Sequence, residues 1–344
     1  MNHFDSLNDL HLSLARGVHE ELAAAHDLAF TVVSGSLAFG LGHGTSDIDL
    51  YAMTADGTPL DYRVRAGGSV PVQVNAVTPE SLALAVRWAA SDADYTAGDR
   101  STFTVQENIR KLAIRLNGGV VLHADDRHRA LLGSLSGDVI RRRVVAGEGV
   151  VVGSYLEDVS GAVASDDLDT AFLSARLALT HACEAILAAT GDLYVGPKFL
   201  TRRLRRNTYL DKLLDPILEG LDLVPYRSPA GESVEERCRA RAALASYLCA
   251  KASLDGWEFP LMEIEPFEQG REGPRRDPFF TLLRFGDGIG LAGPDKGFKV
   301  SPDAARLWLG LDGTRSSRSV TDEAVANGIK KLIAAGAAHE EERP

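Results

Sequence analysis

The 344-residue sequence predicts an α+β fold, and three observations predict it. Strand-like apolar runs cluster in the first 77 residues, at Ala29–Val33, Ile48–Ala52 and Val70–Val77. From about residue 105 to 260, apolar residues instead recur at helical spacing of three and four. Beyond a Pro/Gly-rich stretch, two more strand-like runs precede helices. With 45% hydrophobic and 25% charged residues the composition is that of an ordinary globular chain, long enough for two or three domains.

Element by element, residues 6–27 read as an amphipathic helix. Leu7, Leu10, Leu14, Val18, Leu22 and His26 fall roughly on one face. Ala29–Val33 is the first strand, entering the turn Ser34-Gly35-Ser36-Leu37-Ala38-Phe39-Gly40. The second strand carries Asp47 and Asp49 at i, i+2 spacing, which puts both carboxylates on one face. Two like charges held together are costly unless a cation neutralises them, and hard oxygen ligands suit Mg²⁺. The small-residue turn offers backbone N–H groups and a hydroxyl to phosphate oxygens. Turns at Asp56–Pro59 and Ala66–Ser69 lead to a third strand, Val70–Val77, and Thr78-Pro79 starts a helix.

Helices follow over 105–116, 125–135, 137–158, 167–189, 197–214 and 234–253, with Gly191-Asp192 ending the fourth. In the fifth, Lys198 stands at the start. Arg202, Arg203, Arg205 and Arg206 then form either a cluster that reaches phosphates or a solvated basic face. Residues 266–278 read as a linker. Strands at Phe279–Phe285 and Ile289–Ala292 then form a hairpin around Gly286-Asp287-Gly288. Phe298–Val300, a helix at Pro302–Leu311, a turn at Asp312-Gly313-Thr314 and helices near 319–326 and 327–335 complete the chain.

The net charge of −11 disfavours a dedicated nucleic-acid binder, because phosphate backbones demand a basic surface. Cys183, Cys238 and Cys249 lack metal-ligand spacing and are expected as buried free thiols. No signal-peptide pattern opens the chain and no run approaches a membrane span, so a cytoplasmic protein without membrane partners is expected.

The stretch Gly35, Ser36, Ala38, Gly40 followed by Ser46, Asp47, Ile48, Asp49 and Leu50 resembles the nucleotidyltransferase superfamily, which includes DNA polymerase β and the kanamycin nucleotidyltransferases. The resemblance implies a small mixed β-sheet core over 1–104 and a helical substrate domain over 105–265. It implies a Mg²⁺-dependent transfer of NMP from an NTP, ATP being the expected one, with release of pyrophosphate. Asp47 and Asp49 would be catalytic and hold the metal. Gly35, Ser36, Ser46 and Lys198 would contact the nucleotide, and His43 could approach its phosphates. Phe39 stands where many relatives have arginine. The family's third strand usually supplies another carboxylate. Here the same-face residues are the amides Gln73 and Asn75, with Asp61 an alternative source from an earlier strand. The expected acceptor is a hydroxyl of a small molecule or peptide, in antibiotic modification or biosynthesis, and a homodimer is among the expected assemblies. The alternatives are a catalytically weak or inactive nucleotide-binding protein, or an antitoxin-like protein acting on a protein partner.

The last segment, 279–338, resembles a small winged-helix-like module. More narrowly, Ala305-Arg306-Leu307-Trp308 and Leu311-Asp312-Gly313-Thr314-Arg315 are similar to PqqD-type domains that bind precursor peptides. That resemblance implies a peptide partner, bound by strand addition to the hairpin edge.

Overall fold

The computed structural model describes residues 6–60, 63–65 (backbone only), 70–90, 96, 106–224, 231–267, 269–270, 273–314 and 322–340. The chain is α+β and divides into two compact units at the Ile140–Arg141 step.

The first unit runs α1 (Asp9–Ala25), β1 (Leu28–Ser34), the single turn α2 (Gly35–Ala38), β2 (Ile48–Thr54), β3 (Arg63–Arg65), β4 (Pro71–Ala76), α3 (Pro79–Ala90), α4 (Glu107–Asn117), β5 (Val120–Ala124) and α5 (Asp126–Gly133). Its five-stranded sheet has the order β3-β4-β2-β1-β5. Only β2 and β4 run parallel. The chain leaves β2, forms β3 at the outer edge, and returns antiparallel to it as β4. The sheet is therefore mixed, and its fifth strand comes from beyond residue 104.

Alternation along the strands separates a core face from a polar face. Ile48, Leu50, Ala52, Val72 and Val74 pack with Ala15, Val18 and Leu22 of α1. The opposite face carries Asp49 and Tyr51 from β2 and Gln73 and Asn75 from β4, all partly exposed. Leu10 was expected in the α1 stripe but is 63% exposed; the buried face runs through Ala15 instead. Asn8 caps α1 by accepting from the His11 N–H at 2.9 Å. Thr78 caps α3 through the Ser81 N–H at 3.1 Å, with Pro79 in the first turn as expected.

The second unit contains most of α6 (Gly137–Ala164), then α7 (Leu168–Ala189), α8 (Leu200–Arg206), α9 (Leu214–Gly220) and α10 (Val234–Leu254). The expected single helix over 197–214 is broken. A 3₁₀ turn holds Pro197–Phe199, and Asn207 adopts an extended backbone after α8 while its side chain accepts from the Tyr209 N–H. An Asn that bonds to its own downstream backbone offers the chain an alternative to helix. Helices α7 and α10 pack along alanine faces, including Ala175, Ala178, Ala182, Ala242 and Ala245. By length and composition α7 could cross a membrane, yet 67% of its apolar window is buried in the fold. Cys183, Cys238 and Cys249 are free and buried.

The chain continues through β6 (Arg275–Arg276), the antiparallel meander β7 (Thr281–Phe285), β8 (Gly288–Gly293) and β9 (Lys296–Val300), then α11 (Pro302–Leu309), α12 (Glu323–Ala334) and β10 (Ala338–His339). One helix, α12, spans 323–334 where two were expected; residues 315–321 lie outside the described ones. The expected linker is stitched down instead. β6 pairs with β10, and the N–H groups of Gly270, Gly273 and Arg276 donate to carbonyls of Asp312, Gly313 and Leu311. Trp308 is fully buried, with its indole N–H donating to Ala337 O at 2.8 Å. Helix α10 seals the β7 side of the meander: Ser246 Oγ donates to Phe280 O and Ser253 Oγ to Leu282 O.

One pH response is built into the first unit. His19 of α1 stacks on His123 of β5, ring centroids 5.6 Å apart, and shares a 3.1 Å hydrogen bond with the Thr31 hydroxyl. Burial, and then the neighbouring His123, hold the His19 pKa below its ordinary 6.5, against a smaller opposing pull from Glu20. The unfolded chain therefore takes up this proton first. The His19 contribution is complete above about pH 6.5 and is lost as pH falls from there through the lower folded value. A His19→Gln variant should show a flatter dependence of the denaturation midpoint between pH 7 and 5 than the unsubstituted protein.

Candidate nucleotide site

Strand β1 ends at Ser34, and the backbone turns sharply at Gly35, whose φ is +83°. Residues with a side chain pay roughly 1–2 kcal/mol in this left-handed region; glycine does not. A second reason for glycine is spatial. A Cβ built on Gly35 would collide with the Asp49 carboxylate, first with Oδ2. The turn and the acidic strand are thus in direct apposition, with the carboxylate lying where a side chain would stand. Ser36 follows, partly exposed, and the turn closes through Phe39 N–H to Gly35 O and Leu41 N–H to Ser36 O.

Cross-strand register builds the rest of the polar face. Ser34 of β1 and Gln73 of β4 flank Asp49 on its two sides, and Asn75 of β4 pairs with Tyr51. Gln73 Nε2 donates to Asn75 Oδ1 at 3.2 Å, and Asn75 Nδ2 donates to Asp49 Oδ1 at 3.3 Å. The two amides thus form a short chain that ends on the carboxylate. Asp47, partly buried, sits in the segment that leads into β2. Ser46 serves the same segment: its Oγ accepts from the His43 N–H at 3.0 Å, closing a small loop in which Thr45 and the His43 ring are hydrogen-bonded. Among the described residues no three His, Cys, Asp or Glu side chains gather as a metal-ligating group. Asp61 lies outside the described residues.

Two residues beside the turn escaped the sequence reading as a pair. Ser34 Oγ donates to Arg115 O at 2.7 Å, which ties the last turn of α4 to the residue before Gly35. The Arg115 guanidinium lies over the Phe39 ring, 5.6 Å from its centroid. Gly118 makes that possible, because a Cβ there would strike the ring. In the sequence the doublet Gly118-Gly119 marks only a turn after the helix, and its room for the Phe39 ring appears once the ring is in place.

Lys198 belongs to the second unit. It is exposed, and its ammonium lies 4.9 Å from the Phe199 ring centroid; Arg202 lies over the same ring at 5.4 Å. Neither reading of the arginine cluster describes Arg203, which is 1% exposed. It pairs with Glu184 at 2.6 Å and with Asp192 at 2.9 Å, and Arg206 meets Asp192 at 2.7 Å. Burial pushes the Glu184 carboxyl above the ordinary carboxylate range, while Arg203 pulls it back. The Gly196 N–H also donates to Glu184, so this ion cluster holds the segment leading to Lys198.

No protein-family model and no curated protein matches the chain. Among solved structures, a nucleotidyltransferase-like protein from Exiguobacterium sibiricum 255-15 aligns with a TM-score of 0.36 at 11% identity, covering 71% of this chain and 76% of that one. A likeness at this level carries no assignment.

Gly35→Ala should destabilise the first unit by about 1–3 kcal/mol, from left-handed strain and the collision with Asp49. Adding Asp49→Ala should recover part of that loss, a coupling that denaturant titration of the double-mutant cycle would register. In the second unit, Arg203→Ala strands a buried carboxylate and should cost about 3–5 kcal/mol. Arg206→Ala, which removes a more exposed pair, should stay within about 1 kcal/mol by the same titration.

Proposed function

We propose that the chain is a nucleotidyltransferase, moving an NMP from an NTP to a hydroxyl of a small molecule or peptide. The observation that carries this reading is the apposition of Gly35 and the Asp49 carboxylate. It joins the two halves of the Gly-Ser … Asp-x-Asp signature into one place. Gly35 and Ser36 would receive phosphate oxygens. Asp47 and Asp49 are hard oxygen donors of the kind that hold Mg²⁺, while Asn75 meets Asp49 through its amide N–H. A divalent ion bound there would neutralise phosphate charge and polarise the reacting phosphoryl group.

In this reaction the acceptor oxygen forms a bond to the α-phosphorus as the bond to the bridging oxygen breaks, and pyrophosphate leaves. The residues of this chain would serve mainly to orient the two reactants, which alone can lower a barrier by several kcal/mol. Neither Gln73 nor Asn75 can take the hydroxyl proton, because an amide is no base. Lys198, exposed in the second unit, is a further candidate for nucleotide contact. The segment 279–338 is the proposed docking module for a peptide acceptor, through a surface other than the two hairpin edges, since α10 lies along β7 and β9 pairs with β8.

The amide pair beside Asp49 specifically favours a second reading, nucleotide binding without turnover. The two separate in one assay. The protein is incubated with Mg²⁺, each of the four common NTPs and a panel of hydroxyl acceptors, and pyrophosphate release is followed beside direct NTP binding. Turnover supports the transferase. NTP binding without pyrophosphate, whatever the acceptor, supports the binding protein. Under the transferase reading, Asp47→Asn and Asp49→Asn should each lower turnover by about a thousandfold, several kcal/mol of lost charge stabilisation. Their thermal transitions should stay close to that of the unsubstituted protein. Full activity in both variants would remove the metal assignment.

A further inference from the structure

We infer that Arg115 is the phosphate-binding cation of the Gly35 turn, contacting the β- and γ-phosphates of the nucleotide. This rests on the nucleotide reading above and adds a residue that the signature does not contain. A triphosphate placed beside Asp47 and Asp49 adds several negative charges to a face that already carries two carboxylates. One divalent ion does not balance that sum, so a fixed cation is required close by.

Arg115 is fastened to the turn at both ends of its own length. Its carbonyl accepts the Ser34 hydroxyl at 2.7 Å, directly before Gly35. Its guanidinium lies 5.6 Å from the centroid of Phe39, directly after Ala38, the last residue of α2. The backbone therefore fixes where the side chain starts, and the ring lies beside the place where it ends. A guanidinium beside the turn brings a fixed charge and a planar fork of donors, a shape that can meet two phosphate oxygens at once. Gly118, which admits the Phe39 ring, completes the arrangement. Lysine in this position would keep the charge but lose the fork.

The test compares nucleotides that share a base and differ in phosphate content. Binding of MgATP, AMP and adenosine to the full chain is measured by calorimetry for the unsubstituted protein, Arg115→Ala and Arg115→Lys, with MgGTP, MgCTP and MgUTP and their monophosphates and nucleosides run in parallel. Thermal melts confirm that each variant is folded. The expected result is a fall of about tenfold or more in triphosphate affinity for Arg115→Ala, with nucleoside affinity changed by less than about twofold and partial recovery in Arg115→Lys. Equal weakening of triphosphate and nucleoside would mark Arg115 as structural and overturn the inference, as would an unchanged triphosphate affinity. If Arg115→Ala fails to fold, Phe39→Leu removes the ring beside the guanidinium while keeping the charge. It should weaken the triphosphate selectively, and an unchanged triphosphate-to-nucleoside ratio would again overturn the inference. Failure of the unsubstituted protein to bind any of the four triphosphates would remove the parent reading along with this one. Normal binding with an indifferent Arg115→Ala removes this one alone.

Discussion

The polar face of the first unit depends on a side chain that is not there. Because Gly35 has no Cβ, the Asp49 carboxylate comes to rest against the turn that ends β1. That contact couples a backbone constraint, the left-handed φ of Gly35, to an electrostatic one, the placing of an anion beside the turn. Everything else on the face is arranged around it. The amides of Gln73 and Asn75 point their donors along a chain toward Asp49, and Ser34 holds α4 from the other side.

Much of this was legible because it is local. Strand alternation placed Asp49 opposite the apolar Ile48 and Leu50, and the same rule put Gln73 and Asn75 on one face of the next strand. What stayed illegible depends on distant partners. β5 carries the strand-like run Val120-Val121-Leu122, which the reading by helical spacing passed over; what no local pattern shows is that it pairs with β1. The seat of Arg115 could not be read either. It depends on a hydroxyl and a ring far away in sequence, and on a glycine whose purpose appears only when the ring is in place. The expected linker failed for a related reason. Its Gly, Pro and charged residues suit a free chain, but its backbone groups find partners on the 311–313 turn.

The second unit shows that charge in a sequence says little about exposure. Arg202, Arg203, Arg205 and Arg206 look uniform, yet Arg203 is fully buried in an ion cluster with Glu184 and Asp192. Such a cluster contributes little net stability over an apolar filling, but it specifies one arrangement, because any shift strands a charge. Here it fixes the approach of the chain to Gly196 and Lys198.

The seal that α10 places on β7 governs how copies of the protein behave toward one another. An open β-sheet edge is a template for further strands, and a small three-stranded sheet has two of them. On one side Ser253 donates to the β7 carbonyl of Leu282 and Ser246 to that of Phe280 just before the strand, so a foreign strand would have to displace a helix to pair there. On the other side β9 is largely exposed and carries Lys296 and Lys299, and charged side chains on an edge strand oppose pairing with a second copy. Crowded solutions therefore meet a sheet that is plugged along one rim and electrically guarded along the other, and fibrous growth through this module is disfavoured from both directions.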